Sequence, residues 1–243
     1  MDHAKARETA GRLAFQEDRS LGSRVQAASR RRYFRELAGS WDLWHGLYHR
    51  RAPAGATRAA LDRADAAEAR RLLSRLPARG DFLDLGCGTG RLLKLVAPHC
   101  RLAHGADVSP RALALAARAC RGLDGVRLHR VADWTLDLPG ASVDLVYSRQ
   151  MFQYLDAESV VAYLKEVRRV LRPGGRFSFD LANLLHEDNL GRLLFPERSN
   201  WPSPHRIRPW TAETARAVLP RCGFRVEKLT AGPFLAVDAA RKR

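Results

Sequence analysis

No stretch of this 243-residue sequence stays apolar for the ~20 residues that a helix crossing a bilayer requires. Residues 1–30 hold no hydrophobic signal segment, and Asp2, Glu8, Glu17 and Asp18 speak against an acid-poor transit peptide. The expected location is the cytoplasm. Cysteine is scarce. Cys87, Cys100, Cys120 and Cys222 lack any short paired spacing, which excludes the usual zinc-ligand pattern and a disulfide framework and leaves reduced thiols. No carboxylate cluster calls for a metal ion, and no internal repeat is present. Acidic residues are few beside basic ones, 26 against 42, for a formal charge of +16. The excess lies mainly outside the centre, at +8 over residues 1–80, +3 over 81–180 and +5 over 181–243. Such a balance suits an anionic substrate, a nucleic acid or a membrane surface, and equally a solvated basic face.

What is present has two rhythms. Residues 1–40 are polar and basic, with a helix expected over Val25 to Leu37, and an aromatic stretch, WDLWHGLYHR, follows at 41–50. A helical run from Thr57 to Leu76 carries Leu61, Ala64, Leu72 and Leu76 on one broad face and ends at Pro77-Ala-Arg-Gly80. Beyond Gly80 short β-forming runs alternate with helical patterns. These are FLDL (82–85), a helix over 90–97, LAHGADV (102–108), a helix opened by Ser109-Pro110, VRLHRVAD (126–133), VDLVYS (143–148), a helix over 156–171 and RFSFDLAN (176–183). A helix over 211–221 then leads to FRVEKL (224–229), Gly232-Pro233 and FLAVDAA (234–240), the pattern of an antiparallel hairpin. The fold expected is α/β: a doubly wound, mostly parallel, Rossmann-like sheet of seven strands with a C-terminal antiparallel hairpin and an N-terminal helical extension. The division expected is an extension over residues 1–56 and a domain over 57–243 with an insertion at 183–210.

Gly86, Gly88 and Gly90 follow the first strand, where a doubly wound sheet admits a nucleotide and the backbone must turn tightly beside the ligand. The dinucleotide fingerprint G-x-G-x-x-G is not met, since position 91 is Arg91. Asp107, ending the second strand, has the spacing of an acid that accepts hydrogen bonds from two ribose hydroxyls. Asp133 and Trp134 offer a carboxylate for an exocyclic amine beside a flat apolar ring, a fit to adenine.

With DLGCGTG (84–90), ADVSP (106–110), VADW (131–134), DLVYSRQMFQYL (144–155) and EVRRVLRPGGRF (166–177) in this order, residues 57–240 resemble the class I S-adenosylmethionine-dependent methyltransferases. The resemblance implies S-adenosylmethionine as cofactor. It implies that the loop Gly86, Cys87, Gly88 and Gly90 passes the methionine part, and that Asp107 with Val108 holds the ribose. Asp133 and Trp134 would flank adenine, Ser148 and Arg149 would line the methionine moiety, and Asp84 would orient the loop or the ligand's amino group. The fourth strand runs into SRQMFQ, not the Asn/Asp-Pro-Pro-aromatic motif tied to methylation of exocyclic amines on nucleobases, and no Pro-Cys follows it.

Methyl transfer from a sulfonium chiefly needs an acceptor held in line, so a dedicated base is optional, and no catalytic base stands out. Gln153 and Tyr154 read as positioning groups. Trp41, Trp44, His45 and Tyr48 fall at i, i+3, i+4 and i+7, one face of a helix that would form a lid, and His186 lies in the covering insertion. The acceptor expected is a small molecule with an oxygen or nitrogen nucleophile. RNA is the alternative, on the strength of the charge and of Arg30-Arg31-Arg32-Tyr33, and a non-catalytic adenosyl-binding scaffold is the third reading.

Overall fold

The computed structural model describes residues 32, 34–42, 57–195 and 207–243. Its centre is one seven-stranded sheet made of β1 (Phe82–Leu85), β2 (Ala103–Asp107), β3 (Val126–Arg130), β4 (Val143–Ser148), β5 (Leu171–Ala182), β6 (Phe224–Ala231) and β7 (Phe234–Arg241). The spatial order is β3-β2-β1-β4-β5-β7-β6. Strands β1 to β5 run parallel, and β7 lies antiparallel between β5 and β6. The chain therefore builds outward from β1 to β3, then returns to start again at β4 on the other side of β1. That reversal leaves a crevice beyond the carboxyl ends of β1 and β4, where ligands of such sheets bind.

The helices are α1 (residues 34–42), α2 (Arg58–Leu73), α3 (Leu93–Val96), α4 (Pro110–Ala119), α5 (Ala157–Val170), α6 (Glu187–Leu194) and α7 (Ala212–Arg221). Their starts are written in the caps. Thr57, Ser109, Asp156 and Thr211 each accept the N–H three residues on, at 3.2, 3.0, 2.7 and 3.1 Å. Alternate residues of the strands feed two apolar layers: Leu83 and Leu85 join Phe152, Phe177 and Phe179 in one, and Phe82 joins Leu72, Leu93 and Leu145 in the other. Phe177 and Phe179 stack at 4.3 Å.

The structure departs from the expected elements in several places. The helix after the glycine loop opens only at Leu93, because the Gly90 N–H closes the loop's turn onto the Cys87 carbonyl at 2.9 Å, and a single 3-10 turn (Ala97–His99) holding Pro98 ends it. RPGG interrupts β5 without ending it: Val143 pairs with Leu171, Leu145 pairs next with Arg176, and Gly174 turns the excursion at φ 77°. β3 stops at Arg130, so Asp133 and Trp134 lie beyond the strand rather than at its end. Inside the insertion α6 forms, with Glu187 and Asp188 in its first turn, and the returning chain at Trp210 bridges Asn183 in parallel. Of the helix expected over 25–37, residues 25–31 and 33 lie outside the described residues, and the described helix runs on to Asp42.

Candidate active site

The crevice holds a cavity of about 320 Å³ whose wall takes Gly86, Cys87, Gly88, Asp107 and Val108 from the β1 and β2 ends, and Arg149, Gln150, Met151 and Tyr154 from the segment after β4. The glycine loop hooks onto β2 through the N–H groups of Gly86 and Cys87, both donating to the Ala106 carbonyl at 2.7 and 3.1 Å. Gly86 has φ 79°, and a Cβ there would sit 3.0 Å from the Met151 side chain. Only glycine takes this left-handed turn without strain. Gly90 serves differently: a Cβ on it would meet Ala116 of α4 at 3.0 Å, so it lets the loop pack on that helix. Arg91, in the position a dinucleotide loop gives to glycine, reaches Asp65 of α2 at 2.5 Å.

Asp107 is buried, and both its oxygens already accept backbone N–H groups, Oδ2 from Gly88 and Oδ1 from Ser109, each at 2.9 Å. Each oxygen retains a second lone pair. Burial raises the pKa of this carboxyl above its ordinary value against the pull of those donors. Asp84 is 4% exposed, and its carboxylate accepts no hydrogen bond among the described residues. Burial first, and then the charge of Asp107, push its pKa up to about 7 against the opposing Arg91. The Cys87 thiol is pushed well above its usual range by burial and by the same two carboxylates, which removes it as a nucleophile.

After β4 the chain turns sharply. Gln150 has φ 55°, an uncommon conformation for a residue with a side chain, and its N–H donates to Asp180 Oδ1 at 2.7 Å. Burial pushes Asp180 up to about 6, opposed by that N–H and by Arg149. Above the crevice lies α1. Phe34, Leu37 and Ala38 are buried, Leu37 and Trp41 line the cavity, and Trp41 meets Tyr154 edge-on at 5.1 Å.

The expected residues thus divide. Gly86, Cys87, Gly88, Asp107, Val108, Arg149, Trp41 and Tyr154 share the cavity wall, whereas Asp84, Gly90, Ser148, Asp133, Trp134, Gln153 and His186 are outside it. Asp133 accepts the Thr135 N–H at 2.6 Å, closing its own turn. Trp134 donates to Ser159 at 3.2 Å and packs edge-on to Phe34 at 6.3 Å. Ser148 is buried, facing the Met151 sulfur at 3.8 Å. Gln153 is buried, and its backbone carbonyl accepts the Arg208 backbone N–H at 2.7 Å. His186 caps α6. Trp44, His45 and Tyr48 lie outside the described residues. Sequence reasoning missed Leu37, Val131, Gln150, Met151, Leu155 and Tyr163 in the wall. For Tyr163 the helical spacing with Val160 and Val167 marks a buried face, but nothing in the spacing says that the face reaches a ligand cavity.

An adenosyl ligand with a methionine tail fits this donor set. Asp107 has lone pairs for a ribose, Asp84 is a buried carboxylate lacking a donor where an ammonium would supply one, and the glycine loop leaves backbone open to the chain between them. The family model described as "Methyltransferase domain" matches residues 82–175. A malonyl-[acyl-carrier protein] O-methyltransferase of Hahella chejuensis is 35% identical over 164 residues, covering 64% of this chain and 54% of that protein. A protein of Mycolicibacterium smegmatis, named a probable S-adenosylmethionine-dependent methyltransferase, is 33% identical over 165 residues, covering 68% and 58%. The chain thus spans just over half the length of these relatives. Among solved structures, an S-adenosylmethionine-dependent methyltransferase of Mesorhizobium loti superposes with a TM-score of 0.57 at 24% identity, over 72% of this chain and 96% of that one, and so shares the fold. Residues 82–175 thus form a methyltransferase domain, and the chain is similar to S-adenosylmethionine-dependent methyltransferases over that domain and in its fold.

Proposed function

We propose that the protein transfers the methyl group of S-adenosylmethionine to a small-molecule acceptor with an oxygen or nitrogen nucleophile. The observation that carries this reading is the cavity of about 320 Å³, with Asp107 and the glycine loop on one side and Leu37, Trp41 and Tyr154 on the other. A volume of this order suits a cofactor tail with a modest acceptor beside it. The bound cofactor supplies an already activated methyl. Asp107 holds the ribose, Asp84, buried behind the glycine loop, attracts the ammonium by its charge, and Gly86 and Gly88 let the tail pass close to the backbone. Met151, Tyr154 and the aromatic face of Trp41 exclude water and orient the acceptor, and Arg149 adds a cation to the wall. Among the described residues of the wall Asp107 is the sole carboxylate, and it is engaged by Gly88 and Ser109. No wall residue is therefore placed as a base, which favours an acceptor whose lone pair is available near neutral pH, such as a neutral amine or an ionised carboxylate. The malonyl-protein O-methyltransferase named above supports the latter class.

The charge of +16 favours a second reading, with RNA as acceptor. Incubation with methyl-labelled S-adenosylmethionine and, in parallel, a metabolite library and total RNA tests the two. Label in small molecules supports the proposal; label confined to RNA, with affinity falling steeply as salt rises, replaces it.

A further inference from the structure

We propose that Asp42 is a positioning residue that couples seating of α1 to the binding of the cofactor, an inference that rests on the methyltransferase reading. Asp42 ends α1, and a single oxygen, Oδ1, accepts both the Ser109 hydroxyl at 2.5 Å and the Arg111 N–H at 3.0 Å. Both donors belong to the start of α4, a helix end whose free N–H groups favour an acceptor of negative charge. Ser109 is fully buried and is occupied on every side. Its hydroxyl oxygen accepts from Ala112 N at 3.0 Å, and its own N–H goes to Asp107 Oδ1 at 2.9 Å. The other oxygen of Asp107 takes the N–H of Gly88. Three consecutive hydrogen bonds therefore join α1 to the glycine loop, Asp42 to Ser109 to Asp107 to Gly88.

The same helix contributes cavity wall. Leu37 and Trp41 stand one turn apart on the face that covers the crevice, with Trp41 immediately before Asp42. If Asp42 releases Ser109 and Arg111, the last turn of α1 loses two hydrogen bonds to α4, and the wall formed by Trp41 goes with it. A cofactor that touches this wall and Asp107 together binds the seated state better than the unseated one. By reciprocity it must then hold α1 down as strongly as seated α1 holds it.

A helix cap alone would steady α4 equally with and without ligand. Coupling requires a ligand-dependent effect at α1. The test combines calorimetric titration of S-adenosylhomocysteine with amide hydrogen exchange of a peptide spanning residues 34–42, in the wild type, Asp42→Ala and Asp42→Asn. Asn keeps a carbonyl oxygen for both donors. In Asp42→Ala the dissociation constant should rise about tenfold, and the slowing of exchange that the ligand causes in the wild type should vanish. Asp42→Asn should restore most of both. Asp42→Ser, too short to reach both donors, serves as a second variant with the outcome expected of Ala should the Ala protein not melt cooperatively. Wild-type affinity and ligand-dependent exchange in a folded Ala or Ser variant overturn the inference alone. A wild type that does not bind S-adenosylhomocysteine overturns the methyltransferase reading and this inference with it.

Discussion

Replacing Asp107 by Ala separates what the carboxylate does for the protein from what it does for the ligand. In the folded protein it accepts the N–H groups of Gly88 and Ser109, both at 2.9 Å. Two buried donors left without acceptors cost about 1–3 kcal/mol each, partly offset because burial already penalises the charged carboxylate. A net loss of about 1–3 kcal/mol leaves the domain folded, since the apolar layers on both sheet faces are untouched. For the ligand, hydrogen bonds from two ribose hydroxyls to a carboxylate are worth roughly 2–4 kcal/mol together, which weakens binding by about 30- to 1000-fold. Asp107→Asn should be no gentler, because its amide nitrogen must face the N–H of either Gly88 or Ser109. Calorimetry with S-adenosylhomocysteine and with its 2′,3′-dideoxy analogue closes the cycle: removing the hydroxyls should cost the wild type most of its affinity and the Ala variant almost none. Unchanged affinity in a folded Asp107→Ala protein would refute the ribose assignment.

Two further outcomes follow from the site. Asp84, at a pKa of about 7 in the ligand-free protein, must lose its proton to face an ammonium. S-adenosylmethionine affinity should therefore rise about tenfold per pH unit between pH 5.5 and 7 and level off above, with proton release near pH 6; calorimetry in buffers of different ionisation enthalpy reads both, and Asp84→Asn should flatten the profile. The same raised value means that the ligand-free fold binds a proton that the unfolded chain gives up nearer pH 4, so this group's contribution to stability falls as pH rises from about 4 to 7. Gly86→Ala forces a side chain to φ 79° and against Met151. It should cost about 1–2 kcal/mol in a thermal melt and weaken the cofactor at least tenfold, whereas a wild-type melt and affinity would show that the loop does not need its glycine there.

The sheet was legible because its signals are local. FLDL and VDLVYS are bounded by glycine or turn residues, and β1 and β4 begin and end where those runs do. Ser109-Pro110 and Asp156 start helices by a mechanism readable from residue type alone. The cavity wall was legible at Gly86, Gly88 and Asp107, where the turn after β1 and the end of β2 bring them together. It was not legible where contact depends on tertiary placement. Gln150 shows no sign in sequence of its left-handed turn, which depends on Asp180 thirty positions away. Asp42 carries no signal in the sequence, since its partners Ser109 and Arg111 lie more than sixty positions away. Asp133 and Trp134 were placed at a strand end by spacing, but Asp133 binds its own turn and Trp134 the α5 residue Ser159.

The most direct test of the central claim is calorimetric titration of the wild-type protein with S-adenosylmethionine, S-adenosylhomocysteine and NAD under one set of conditions. The glycine loop carries Arg91, fastened to Asp65, where a dinucleotide site needs a third glycine, while Asp107 and Asp84 suit a ribose and an ammonium. The result expected is one-to-one binding of both adenosyl ligands and no measurable heat from NAD. Binding of NAD as tight as that of S-adenosylmethionine, or no binding of either adenosyl ligand, would contradict the assignment of this crevice.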